Sequence, residues 1–290
     1  STASGTPTTR WPATSTGTWA TTGSMSTVRE NLAGVLLKNG KFLVVGGSTV
    51  TTGFSTSELY DPSSGTWSAV GSFPMNVGGV PTSVHMNLIL LLNGQVLGFG
   101  GRTADLNYPN STASLFDPST NTWTTTGNYQ VNAINRSAVV LLKSGKVLSA
   151  GGCLTTTSDG CDTSNYTTVS ELYDPATGTW STVGGLSTAR GEAREHLPLL
   201  RNGQALIAGG KNTSGTRQST AEVFNPSTNT WSTVGSMISG RSSTSRFLLL
   251  ADGRVLLPDG GSSSGAVPSF GEVYDPVGNT WTTTGNRSKN

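Results

Sequence analysis

Seven polar residues recur at matched places ahead of a repeated glycine. The glycines are Gly40, Gly94, Gly145, Gly203 and Gly253, each in a short turn that follows a Leu-rich stretch. Nine residues before them stand Asn31, His85, Arg136, Arg194 and Thr244, and seven before stand Ala33, Asn87, Ala138, His196 and Arg246. The residues eight and six before are mostly apolar or small, with Glu195 the exception. Alternation of this kind is the pattern of a strand with two different faces. If five such strands converge, Asn31, His85, Asn87, Arg136, Arg194, His196 and Arg246 line one mouth, with Arg29, Glu30 and Glu195 nearby. Three Arg and two His would hold a carboxylate, sulfate or phosphate through forked, charge-assisted hydrogen bonds. The same lining would equally suit a water-filled channel without a ligand.

Other chemical signals are weaker. Gly261-Ser-Ser-Ser-Gly265 has the spacing of a nucleophile elbow, but its Ser-rich surroundings show no strand-to-helix turn. Gly98-Phe-Gly-Gly101 precedes no helix that could receive a phosphate. Neither His85 nor His196 has a second ligand near it in sequence, so no metal and no cofactor are expected; tertiary contacts to Glu30 or Glu195 would be needed to build a site. Cys153 and Cys161 are the two cysteines of the chain and lie eight residues apart in a polar stretch. That suits one small-loop disulfide, hence an oxidising compartment. Asn-x-Ser/Thr at Asn110, Asn165 and Asn212 would accept glycans in a secretory host.

Composition excludes several classes. Charged residues are 12% of 290, the formal net charge is +2, and the basic residues are dispersed. A nucleic-acid partner would need them clustered. The longest apolar run, around Leu88 to Leu92, is far shorter than a membrane span requires. With 34% hydrophobic residues and seven Trp the chain nevertheless has the means to build a core. Thr, Val, Tyr and Trp favour strands, and abundant Gly and Ser disfavour long helices. Residues 1–10 are read as a flexible Ser/Thr-rich start.

The elements that would position the seven residues come from a repeat. Gly/Asn-Thr-Trp or a close variant places Trp at 19, 67, 123, 180, 231 and 281. Gly-Gly falls between successive Trp at 46–47, 100–101, 151–152, 209–210 and 260–261. Before each later Trp stands an aromatic-acid-proline box: Tyr60-Asp61-Pro62, Phe116-Asp117-Pro118, Tyr173-Asp174-Pro175, Phe224-Asn225-Pro226 and Tyr274-Asp275-Pro276. Each unit reads as four short strands; in the unit ending at Trp180 they are expected over 137–142, 146–150, 169–173 and 179–183. A sheet this small cannot bury both faces alone, but similar sheets stacked radially bury each face on the next. One Trp per unit would pack between sheets, and Gly-Gly would admit neighbouring backbone.

In motif order and spacing the chain resembles the kelch-repeat β-propellers. The expected fold is all-β: five full four-stranded blades over 25–72, 73–128, 129–185, 186–236 and 237–286, with a partial N-terminal unit over 11–24. Residues 11–286 then form one domain. Five blades would close a ring, or the partial unit would form half of a sixth blade. The resemblance implies an interaction scaffold, secreted or cell-surface (alternatively periplasmic), holding a glycan or an extracellular protein at the axial mouth without catalysis. It also brings two enzyme precedents. The copper-radical type does not fit, because it needs a Tyr–Cys cross-link; an epimerase or lyase on an anionic sugar would use Arg136, Arg194 and Arg246 as clamps and His85, His196 or Glu195 as proton carriers. A third reading is a fibre or sheath protein in which the N-terminal half-unit pairs with another copy.

Overall fold

The structure is a computed structural model that describes residues 19–49, 53–74, 85–101, 111–130, 137–154, 156–157, 160–161, 163–193, 197–242, 247–262 and 270–286. Its described strands form five antiparallel blade sheets in chain order, each wound from the inside outward, and two small two-stranded sheets, one of them pairing Arg241–Ser242 with Gly261–Ser262. Blade 1 comprises Ala33–Leu36, Phe42–Val45, Ser57–Asp61 and Thr66–Val70. Blade 2 comprises Asn87–Leu90, Val96–Phe99, Ala113–Asp117 and Thr122–Thr125, and blade 3 Ala138–Leu141, Val147–Ala150, Ser170–Asp174 and Thr179–Thr182. Blade 5 comprises Leu248–Leu249, Val255–Leu257, Phe270–Asp275 and Thr280–Asn286. Blade 4 departs from the expected four strands. Its sheet has Ala205–Ala208, Ala221–Asn225 and Thr230–Val234, and its innermost strand shrinks to a single bridge between Leu199 and Ala205. Pro198 sits within that stretch, and a residue without an N–H cannot continue a ladder.

The recurrent boxes are local turn chemistry. Asp61 Oδ1 accepts hydrogen bonds from the Ser63 N–H at 2.9 Å and the Ser63 hydroxyl at 2.6 Å, and Asp117 holds Ser119 in the same way. Those bonds and Lys41 hold the Asp61 carboxyl down at about 2. The residue before Thr-Trp is left-handed in every blade: Gly65 and Gly178 have φ of 68° and 67°, Asn121, Asn229 and Asn279 have 57°, 57° and 52°. Only Gly and Asn adopt that region readily, which explains why the motif alternates between them.

The core lies between blades. Each sheet has a front face, carrying the aromatic of the third strand and the Trp of the fourth, and a rear face carrying a Leu of the second strand. Four apolar clusters join the rear of blades 1, 2, 3 and 4 to the front of blades 2, 3, 4 and 5. Trp180 of blade 3, for example, stacks on Tyr129 at 4.1 Å and meets Phe99 of blade 2 edge-on at 5.0 Å. Where the preceding blade offers a serine hydroxyl, the indole donates to it: Trp123 Nε1 to Ser57 Oγ at 3.1 Å, and Trp231 Nε1 to Ser170 Oγ at 2.9 Å. The corresponding residue before Trp180 is Ala113, and the buried Trp180 Nε1 has no partner.

A polar clamp repeats as well. Arg29, Arg190 and Arg241 are buried and paired with Glu58, Glu222 and Glu272 at 2.8, 2.9 and 2.9 Å. Arg190 also donates to the carbonyls of Gly209 and Thr220 at 2.8 and 2.9 Å, while its own carbonyl accepts from Gly152 of blade 3 at 2.8 Å. The Gly-Gly pair is required there: Gly151 has φ of 63°, and a Cβ on it would come 2.7 Å from the Arg190 oxygen. Arg29 thus belongs to the blade interior rather than to the axial mouth. No helix among the described residues is long and apolar enough to cross a membrane.

Candidate functional site

The long connections between second and third strands, and the lead-ins to the inner strands, share one side of the molecule. Three non-glycine residues there have left-handed backbones: Asn31 at φ 54°, His85 at 58° and Glu192 at 53°. Asn31 and His85 lie two residues before an inner strand and Glu192 in the lead-in to blade 4, unlike the Asn residues of the outer turns. Positive φ costs a branched or bulky side chain about 1 kcal/mol or more, and such strain gathers at ligand sites when the surrounding structure enforces it.

Two of the sequence-predicted residues meet directly. The His85 N–H donates to the Asn31 carbonyl at 3.3 Å, bringing blades 1 and 2 together, and Asn87 Nδ2 donates to Ser137 Oγ of blade 3 at 3.3 Å. Asn31 is exposed, while His85 and Asn87 are half-buried. Arg136, Arg194, His196 and Arg246 lie outside the described residues, as do Glu195 and Asn110.

Glu192 was missed by counting back from the hairpin glycines. That count sets Arg194 opposite Asn31, whereas the backbone sets Glu192 there, two residues after the buried Arg in both blades and with the same left-handed φ. The cause is length: eleven residues lead from Arg29 to Gly40 but thirteen from Arg190 to Gly203. The buried arginine is therefore the better anchor for alignment. Glu192 accepts from Lys211 Nζ at 3.0 Å and, more weakly, from the Tyr166 hydroxyl of blade 3 at 3.4 Å. Lys211 is held by a reciprocal backbone pair with Gly191 at 2.9 and 2.7 Å, and bridges to Arg217, whose Nε donates to Ser242 Oγ of blade 5 at 3.0 Å. A polar path thus runs from Asn31 through His85 and Asn87 on blades 1 to 3, and a second from Tyr166 through Glu192, Lys211 and Arg217 to Ser242 on blades 3 to 5. Chemically this surface offers cations, amides, the Glu192 carboxylate already neutralised by a lysine and the exposed Glu30 beside Asn31; its cations and amides suit an anion-bearing polar ligand.

Cys153 is fully buried beside Tyr166, and Cys161 lies in a two-stranded hairpin opposite Thr156, a small element the sequence pattern did not signal. Asn165 sits in the 3-10 turn Thr163–Asn165, and the Asn212 side-chain oxygen caps its own loop by accepting from the Ser214 and Thr216 N–H groups at 3.1 and 2.9 Å. The opposite side of the molecule carries the tight turns and, contrary to a bare turn surface, inter-blade clefts. One of about 470 Å³ lies between blades 1 and 2, lined by Lys38, Asn39, Asn93, Asp117 and Ser119.

Comparison with known proteins agrees with the geometry. The model described as "Kelch motif" matches residues 31–74 and 200–238. Among solved structures, the one titled "Structure of YjhT" is similar with a TM-score of 0.63 at 15% identity, over 89% of this chain and 84% of that one. A search of curated proteins finds no match.

Proposed function

We propose that this kelch-repeat β-propeller is a binding module whose axial loop face holds a ligand bearing an anionic group, an acidic or sulfated glycan foremost. The observation that carries the reading is the left-handed backbone shared by Asn31, His85 and Glu192, one in the lead-in of each of three blades. It is supported by Lys211 and Arg217 beside them and by Arg136, Arg194, His196 and Arg246 in the adjoining sequence. The partner is a glycan or an extracellular protein, at the cell surface or after secretion. Cys153 and Cys161 close a small loop by a disulfide in this reading; the intact mass of the chain should rise by two hydrogens when an added thiol reductant opens the bond, and an unchanged mass sinks both the bond and its argument for an oxidising compartment.

The binding test is a panel of uronic, sialylated, sulfated and neutral saccharides offered to the native chain and to Arg136→Ala, Arg194→Ala and Lys211→Ala. Selective capture of acidic sugars, weakened at least tenfold in the variants, is expected from the loss of one charge-assisted contact each, worth about 1.5–3 kcal/mol. Equal capture by native chain and variants would remove the ligand from this face. One observation favours a second reading, an enzyme acting on an anionic sugar: Glu192 is a carboxylate with a phenol and an ammonium at hand, the components of a proton carrier. Turnover of a captured sugar that Glu192→Gln abolishes without loss of capture would establish it.

A further inference from the structure

On the side of the molecule that carries the tight turns, charges are balanced in four blades and unbalanced in blade 2. The residue after each hairpin glycine stands opposite the polar residue of the aromatic-acid-proline box: Lys41 by Asp61, Gln95 by Asp117, Lys146 by Asp174, Gln204 by Asn225 and Arg254 by Asp275. Lys41 pairs with Asp61 at 3.1 Å and Lys146 with Asp174 at 3.0 Å. Arg254, bound first to Asp252 at 2.7 Å, also feels the charge of Asp275. Blade 4 is neutral at both places. Blade 2 keeps the acid without the cation, and its Gln95 is tied to its own turn by Asn93, whose Nδ2 donates to Gln95 Oε1 at 2.8 Å. The hydroxyl and N–H of Ser119 hold the Asp117 carboxyl below its usual range, with no help from a cation among the described residues.

Asp117 lines the cleft of about 470 Å³ between blades 1 and 2, a volume within the range of small-molecule sites. The charged residues of that lining are Lys38 of blade 1 and Asp117 of blade 2. Lys38 Nζ donates to the Leu92 carbonyl in the turn of blade 2, and among the described residues no ion pair joins it to Asp117. An ammonium has three donors, so Lys38 keeps two for a ligand. One cleft thus presents a cation and an anion that do not neutralise each other. The adjoining cleft of about 320 Å³ between blades 2 and 3 has the same architecture with different charges. There Leu92 takes the place of Lys38, and Asp174 is already paired with Lys146.

We infer that the cleft between blades 1 and 2 is a binding site for a small zwitterion of the amino-acid class, its ammonium received by Asp117 and its carboxylate by Lys38. A ligand with a positive charge alone would be repelled by Lys38, and one with a negative charge alone by Asp117, so the pair selects for both charges together. This site is separate from the axial loop face and does not depend on what binds there.

The probes are the ω-amino acids from glycine to 6-aminohexanoate, titrated calorimetrically into the full chain with butylamine and butyrate as single-charge controls. One length should bind best and one-to-one, with both controls at least about tenfold weaker for want of one charge-assisted contact. Asp117→Asn, Lys38→Met and Gln95→Lys should each weaken that zwitterion at least about tenfold, the last by giving Asp117 the cation that Asp61 and Asp174 have. Asp174→Asn, in the adjoining cleft, should leave it unchanged. Asparagine preserves the turn, since Asn225 Oδ1 accepts from the Ser227 N–H at 3.0 Å as Asp117 Oδ1 does from the Ser119 N–H at 2.8 Å. Unchanged melting temperatures confirm the fold of the variants. No saturable binding at any length, or binding indifferent to Gln95→Lys, overturns the inference. Butylamine binding that Lys38→Met strengthens also overturns it, since the cleft would then take a simple cation. Sugar capture by the same variants reads the axial face independently.

Discussion

Arg190→Met should destabilise the protein by about 3–5 kcal/mol, because it leaves the Glu222 carboxylate buried without its cation. Both side chains are essentially out of contact with solvent, at 0% and 1% exposed. Burial alone pushes the Arg190 guanidinium below its usual range, and the hydrogen bond and charge of Glu222 pull it back. The pair also ties together more than two residues, since the guanidinium reaches the Gly209 and Thr220 carbonyls and the Thr220 hydroxyl at 2.8, 2.9 and 2.9 Å. Blade 2 shows that the clamp's carboxylate can be dispensed with: it has Ser114 where blades 1, 4 and 5 have Glu58, Glu222 and Glu272. The double variant Arg190→Val with Glu222→Ser should therefore regain a large part of the loss. It should not regain all of it, since the buried Ser114 hydroxyl has no partner and a serine at 222 would inherit the same deficiency. Urea denaturation of the two variants beside the native chain makes the measurement. A single variant within about 1 kcal/mol of native, or a double variant worse than the single, would show that the pair is not what holds the lead-in to blade 4.

Trp180→Ala should cost a further large amount, about 3–5 kcal/mol, while Trp19→Ala should cost nothing measurable. The two residues stand at the same place in the sequence motif. Trp180 is 3% exposed and sits among Phe99, Tyr129 and Tyr173 with ring centroids between 4.1 and 5.2 Å. Its removal would empty the centre of the cluster between blades 2 and 3, including Tyr129, whose hydroxyl burial pushes well above the ordinary phenol range. Trp19 has no such surroundings. Equal thermal shifts in the two variants would mean that Trp19 is covered in the native chain.

The contrast between these tryptophans separates two kinds of information. Motif order was enough to call the kelch architecture, the four strands ending at Trp180 to within one or two residues, the inter-blade Trp and the close approach at Gly-Gly, because each rests on local chemistry: an Asx turn at Asp61, a left-handed residue before Thr-Trp, alternation along a strand. The candidate site was legible only in part. Alternation from the hairpin glycine picks out Asn31, His85 and Asn87, and the His85 N–H donates to the Asn31 carbonyl. Glu192 escaped because the lead-ins differ in length, so a register counted from one end slips where a loop has gained two residues. The arginines Arg190 and Arg241 escaped for another reason: an isolated Arg looks the same in sequence whether it faces a ligand or a buried glutamate thirty residues away.

The sequence by itself determined the repeat, the class of fold and which residue types each turn and strand would accept, since these depend on backbone conformation and on neighbours a few residues apart. The tertiary structure alone decided which charges are spent inside a blade, which polar residues share the axial face, and that identical motifs end up buried or bare. Those outcomes depend on what stands on the other side of a sheet.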